Sequence, residues 1–155
     1  MYDPDDDLTP AVLADTDAEA LAAAARYLAR HGHDRRAEQW HIDRPNSAIS
    51  TAAAIEYAAR RIDTRDTVTE HALDTFAWHL AGRGVAGIHD DPRHVIATWE
   101  HNHRDTPPDV YLNTVTAELH LAAALATHRI TELAGAAAGN PQRPAPPSRS
   151  NQGEP

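Results

Sequence analysis

The sequence predicts an all-α protein, a single five-helix orthogonal or irregular bundle with a long C-terminal helix and disordered ends. Apolar residues recur every three or four positions in five segments, the alternating pattern of a strand is absent, and 31 alanines favour helix. The 155 residues are enough for one domain. We divide the chain into an acidic flexible arm (1–15), a helical domain (16–138) and a disordered Pro/Ser-rich tail (139–155).

The first two helices are predicted from their start signals. Thr16 is followed three residues later by Glu19, the spacing of a capping box, and the apolar face that follows ends at Gly32. The second helix is expected to open at residues 45–47, Pro-Asn-Ser, ahead of an alanine-rich apolar stripe.

The other three helices have clear boundaries in the sequence. The third is predicted to begin at Thr67 and to stop at the Gly-Arg-Gly of 82–84, and the fourth has Asp91 as its cap and Pro92 as its first residue. The fifth is predicted over 107–134, which spans roughly 40 Å at 1.5 Å per residue. Because a compact bundle of this size needs less, its second half is expected to project or to pair.

Composition excludes several chemistries. The chain has no cysteine, which excludes disulfides, a thiolate nucleophile and cysteine-ligated metal. All 14 basic residues are arginine, so neither Schiff-base chemistry nor a Walker-type phosphate loop is available. The sequence has neither a membrane-spanning apolar run nor a basic-then-apolar start, and we expect a cytoplasmic protein.

Charge is concentrated at the N-terminus. Residues 1–19 carry seven acids and no arginine, out of a net charge of −9. We interpret this arm as a solvated terminus, with docking on a basic partner as the alternative. Acids are interspersed among the arginines of 35–36 and 60–65, which favours a salt-bridging face over a phosphate site, so nucleic acid is not the expected partner.

Three segments carry a resemblance to a known family, and residues 99–110 are the most specific part. The segments are ALAAAARYLARHG (20–32), AAAIEYAA (52–59) and VIATWEHNHRDTPPDVYLNTVTAELHLA (95–122). From Ala18 to about Ala124 the chain resembles an uncharacterised "domain of unknown function" family of small helical proteins from high-GC Gram-positive bacteria. The resemblance implies a helical fold and brings no established activity.

The eleven histidines include one cluster with metal-binding chemistry. His89, Asp90 and His94 supply two imidazoles and a carboxylate that zinc, manganese or iron would accept. The neighbouring Asp91 is already used as a helix cap, and further ligands would have to come from elsewhere. We therefore expect no cofactor, with a divalent metal such as zinc as the alternative.

Tryptophan and histidine side chains supply the candidate contacts to a ligand or partner. These candidates are Trp78, Trp99, His101, His103 and Arg104. Trp99 is expected to be buried beside Val95 and Ile96. Trp78 lies off the apolar stripe of its helix, so it either packs against the 33–46 segment, which we favour, or is exposed as a contact residue.

No catalytic triad, phosphate loop or HExxH motif is present in the sequence. We therefore predict a small cytoplasmic protein-interaction or regulatory module without catalysis of its own. The alternative is a metal-dependent enzyme or metal-binding protein using the 89–103 region, and a nucleic-acid-associated protein is a weaker one. A homodimer through the last helix is expected, along a seam formed by Ala122, Ala126, Ile130 and Leu133, and a different protein partner is possible.

Overall fold

The computed structural model describes residues 7–34, 48–82 and 91–139. Within these ranges the chain forms five α-helices and no strand, apart from an isolated parallel bridge between His33 and Ile49. The predicted all-α bundle with a long C-terminal helix is confirmed. The helices are α1 (Pro10–His31), α2 (Thr51–Ile62), α3 (Asp66–Ala81), α4 (Pro92–Asn102) and α5 (Pro108–Gly139).

Helix α1 begins six residues before the predicted capping box. Thr9 caps it, accepting a hydrogen bond from Val12 N at 3.2 Å, and Pro10 occupies the first turn. Thr16 lies inside the helix, where its hydroxyl donates to Leu13 O at 3.0 Å. The start predicted at Thr16 was wrong because a cap followed directly by proline is the stronger signal. Residues 10–15 of the predicted arm are therefore helical.

Helices α2 and α4 also begin at side-chain caps. Ser50 caps α2 and accepts from Ala53 N at 3.2 Å. The predicted opening at 45–47 lies outside the described residues, but 48–50 are not helical, so α2 begins later than predicted. Asp91 caps α4, accepting from Arg93 N at 3.1 Å, as predicted.

Helix α5 passes through the glycine where it was predicted to stop. Gly135 is exposed, and a side chain added there would meet no atom within 4 Å. The stop predicted at Gly135 was wrong because an exposed glycine weakens a helix by only about 1 kcal/mol and needs a following break to end it. The 32 residues of α5 span roughly 48 Å.

Helix α1 lies at the centre of the bundle and packs most extensively against α5 and then α2. The largest fully buried side chains come from all the helices and from the segment before α2: Phe76, Leu21, Leu28, Ile49, Ile55, Leu73, Leu80, Ile96, Leu119, Val68, Val95 and Val115. No helix in the described part of the chain is long and apolar enough to cross a membrane.

Part of the predicted dimer seam is used inside the chain. Ala122 and Ala126 are 1% and 5% exposed, and Ile130 and Leu133 are partly buried. The small residues therefore allow close packing within the bundle. The same stretch of α5 exposes Leu121 and Leu125 instead.

Candidate functional site

A buried carboxylate, Glu100, joins three parts of the bundle. Its Oε2 accepts from Thr51 N at 3.1 Å, from Thr51 Oγ1 at 2.6 Å and from the Tyr111 hydroxyl at 3.3 Å. His33 Nε2 hydrogen-bonds to the same oxygen. Thr51 is the first residue of α2, so the carboxylate also lies at the positive end of that helix. Glu100 thus ties α2, α4 and α5 together.

The chain turn after α1 places His33 against this carboxylate. Gly32 ends α1 with a φ of 92°, a left-handed conformation that favours glycine. Asp34 N then donates to Ile49 O at 3.0 Å, beside the bridge of His33 with Ile49. The backbone therefore fixes His33 between α1 and α2.

Two of the predicted contact residues, His103 and Arg104, line a cleft beside Glu100, and a third, Trp99, packs behind it. The cleft has a volume of about 290 Å³, and His103, Arg104 and Tyr111 are among its lining residues. The Trp99 ring lies behind it, 4.3 Å from the His103 ring and 5.6 Å from the Tyr111 ring, centroid to centroid. We call this region the Glu100 cleft.

Hydrogen bonds hold the end of α4 in place at the Glu100 cleft. His103 Nδ1 bonds to the carbonyl of Trp99 at 2.8 Å, and Arg104 Nη1 donates to the carbonyl of His101 at 3.0 Å. These contacts satisfy two of the carbonyls that a helix leaves unpaired at its C-terminus. His103 and Arg104 therefore have a structural role here.

A second buried carboxylate, Asp17, lies on α1 and is only half satisfied. It is 2% exposed, and its Oδ2 accepts from His71 Nδ1 at 2.8 Å and from Thr75 Oγ1 at 2.6 Å. No group in the described part of the chain donates to Oδ1. The hydrogen bond to Asp17 is the largest cause that raises the pKa of His71 above its ordinary value.

Asp17 lines a groove between α1, α3 and α5 with a volume of about 250 Å³. Trp78 and Leu125, which are 56% and 54% exposed, lie on the same groove, and Arg129 and His79 also line it. We call this region the Asp17 groove. Trp78 is therefore an exposed residue. Its packing against the 33–46 segment, which we favoured, was wrong, because α3 buries a different face that carries Leu73, Phe76 and Leu80.

The remaining predicted residues stand apart from both regions. His101 is exposed at the end of α4, and His94 is exposed near its start. His89 and Asp90 lie outside the described residues. Among residues 7–34, 48–82 and 91–139, no three histidine, aspartate or glutamate side chains are placed to hold a metal ion. The metal site at 89–94 stays a prediction.

Carboxylates pair with arginines on the outer surface. Arg65 donates to Asp63 Oδ2 at 2.6 Å and to Asp7 Oδ1 at 2.7 Å. Its hydrogen bonds to Asp63 lower the pKa of that carboxyl to about 2. Arg93 contacts both Glu56 and Glu70 at 3.0 and 2.9 Å. Asp7, the first described residue of the acidic arm, thus contacts an arginine of its own chain.

Sequence reasoning missed both buried carboxylates, although a signal for each was present. Glu100 lies four residues after Ile96, on the buried side of α4, where a charged residue needs partners. Asp17 lies between Ala14 and Leu21 on the buried stripe of α1. Starting α1 at Thr16 placed Asp17 in a first turn, where an acid is ordinary.

Comparison with known proteins adds no relative. No protein-family model, curated protein or solved structure matches the chain. The resemblance to a family of high-GC Gram-positive bacteria stays a prediction.

Proposed function

We propose that the protein is a cytoplasmic helical interaction module without catalysis of its own, and that it binds a second copy of itself through the Asp17 groove. The observation that carries this proposal is the exposure of Trp78 and Leu125 side by side, at 56% and 54%. Large apolar side chains exposed together on one surface are typical of protein interfaces, and tryptophan is the residue most enriched among energetically important contacts.

The apolar surface extends along α5. Leu121, 41% exposed, lies four residues before Leu125 and therefore on the same side of the helix. The proposed dimer uses the last helix, as the sequence suggested, but through its leucines. The alanines of the predicted seam are buried against the rest of the bundle.

Charge at the groove favours a second copy as the partner. The cleft next to it is lined by both Asp74 and Arg129, so the surface carries both signs. A two-fold interface places a surface opposite itself, which lets Asp74 of one copy face Arg129 of the other. A surface of one sign would repel its copy, and the net charge of −9 already opposes non-specific association.

Light scattering coupled to size-exclusion chromatography tests the proposal. Wild type should elute as a dimer, and Trp78→Ala and Leu125→Arg should each give a folded monomer. Val110→Arg is the matched control: Val110 is 48% exposed on the same helix, roughly 22 Å away, and the variant should stay dimeric. A wild type that is monomeric at the highest attainable concentration would contradict the proposal.

A further inference from the structure

The half-satisfied carboxylate of Asp17 indicates a missing hydrogen-bond donor. Its Oδ2 accepts from His71 and Thr75, while Oδ1 has no partner in the described residues and less than 1 Å² of exposed surface. Leaving a buried charged acceptor unpaired costs more than leaving a neutral one. A donor that reached Oδ1 would therefore add to binding strength.

The groove above Asp17 has the form of a receptor for one long side chain. Its volume of about 250 Å³ is below the roughly 300–1,000 Å³ typical of pockets for drug-sized molecules. Ala14, Ala122 and Ala126 line it with small apolar groups, and Leu125 is exposed at its surface. These residues can contact the apolar part of an incoming side chain, and the Asp17 carboxylate can bind a polar group at its end.

The polar end that fits best is a cation. Trp78 lines the same groove as Asp17, and an indole face attracts a cation through its quadrupole. A guanidinium can stack on that face and still donate to a carboxylate, because the group is planar and its N–H donors point outward within the plane. A neutral amide or hydroxyl would satisfy Oδ1 but would gain nothing from Trp78.

We propose that the Asp17 groove receives the guanidinium of an arginine side chain, which stacks on Trp78 and donates to Asp17 Oδ1 once rotation of the carboxylate turns that oxygen into the groove. In the proposed dimer this arginine comes from the second copy, since the chain contains no lysine. The inference therefore rests on the proposed function for the source of the side chain. The recognition chemistry itself belongs to the groove.

Calorimetric titration with N-acetyl-L-arginine amide tests the inference, with N-acetyl-L-citrulline amide as the matched neutral ligand. The arginine derivative should bind wild type, and the citrulline derivative should bind about tenfold more weakly, because one charge-assisted hydrogen bond is lost. Asp17→Asn should weaken binding of the arginine derivative by a similar factor. Asp109→Asn, at an exposed carboxylate in the first turn of α5 away from the groove, is the control and should change binding by less than about twofold.

A folding check keeps the test decisive. Each variant is first compared with wild type by circular dichroism, and if Asp17→Asn does not fold, Trp78→Leu replaces it. That exposed position tolerates the change, and loss of the ring should also weaken binding of the arginine derivative. Equal affinities for the arginine and citrulline derivatives, or an unchanged affinity in the folded variant, would overturn the inference.

The oligomeric state separates this inference from the proposed function. If both hold, excess arginine derivative should dissociate the dimer. If Leu125→Arg yields a monomer but the derivative neither binds nor dissociates the wild-type dimer, the guanidinium site is wrong and self-association stands. If the derivative binds a chain that is always monomeric, the site stands and the second copy is wrong as its source.

Discussion

The Glu100 cleft and the Asp17 groove contain the same kinds of residue in opposite states. Each has a buried carboxylate, histidines and a tryptophan. In the Glu100 cleft the carboxylate accepts from three residues and Trp99 is 4% exposed. In the Asp17 groove one carboxylate oxygen is unpaired and Trp78 is 56% exposed.

This difference separates a region that holds the fold together from one that is incomplete within a single chain. A buried carboxylate that accepts from three residues at the start of α2 stabilises the packing of three helices. In the Asp17 groove, one buried oxygen lacks a hydrogen-bond donor and an indole ring is exposed to solvent, so a partner could improve both. We therefore propose that the Asp17 groove serves recognition and that the Glu100 cleft serves stability.

Substitution of the two tryptophans should give the largest difference in the free energy of unfolding. Trp99→Ala should lower the free energy of unfolding by about 3–5 kcal/mol, because it removes a buried aromatic ring from between His103 and Tyr111. Trp78→Ala should lower it by less than about 0.5 kcal/mol, since an exposed side chain loses few contacts.

Urea unfolding measures both losses in free energy. Each variant is made in a chain that also carries Leu125→Arg, so that dimerisation does not contribute. Similar losses for the two variants would mean that the two regions are equally structural, and the comparison would fail.

Substitution of the two carboxylates should also destabilise the Glu100 cleft more than the Asp17 groove, but by a smaller difference in the free energy of unfolding. Glu100→Gln should lower the free energy of unfolding by about 2–3 kcal/mol, because several donors lose a charged acceptor at once. Asp17→Asn should cost about 1 kcal/mol, since only His71 and Thr75 are affected.

The matched control is Glu132→Gln, at a 66% exposed side chain on α5, which should be nearly neutral. An Asp17→Asn loss larger than that of Glu100→Gln would indicate that Asp17 is the stronger structural centre.

The sequence predicted the five helices because the apolar period of each is a local signal, although the starts of α1 and α2 and the end of α5 were misplaced. Asp91 and Pro92 give the start of α4 through capping alone, and the apolar period buries Val95, Ile96 and Trp99 as predicted. The contacts of Glu100 could not be predicted, because Thr51 lies 49 residues and His33 67 residues away in the chain. Only the folded packing brings those groups together.

Exposure was equally hard to predict where two faces of a helix are similar. Trp78 and Ala77 are neighbours on α3, yet one is 56% and the other 6% exposed. The sequence placed Trp78 off the apolar stripe but contained no information on what would cover it. The same limit applied to α5, where burial of Ala122 and Ala126 depends on where α1 packs.

The smallest expected effect is the pH dependence of the Asp17 groove. Asp17 raises the pKa of His71 in the folded protein above its unfolded value of about 6.5. The charged pair therefore contributes its full stability below about pH 6.5 and loses it as pH rises through the raised pKa. Because the His71 side chain is 41% exposed, solvent screening keeps this contribution below about 1 kcal/mol.

Comparison of wild type with His71→Gln isolates this contribution, since glutamine can donate a hydrogen bond but does not titrate. Both proteins carry Trp78→Ala, which is expected to give a monomer without adding a charge to the groove, and their unfolding is measured at about pH 5.5 and about pH 8.5. Wild type should gain stability relative to His71→Gln at the lower pH, and NMR titration should find a lower His71 pKa in Asp17→Asn. A difference that stays constant with pH would mean that the Asp17 charge does not act on His71.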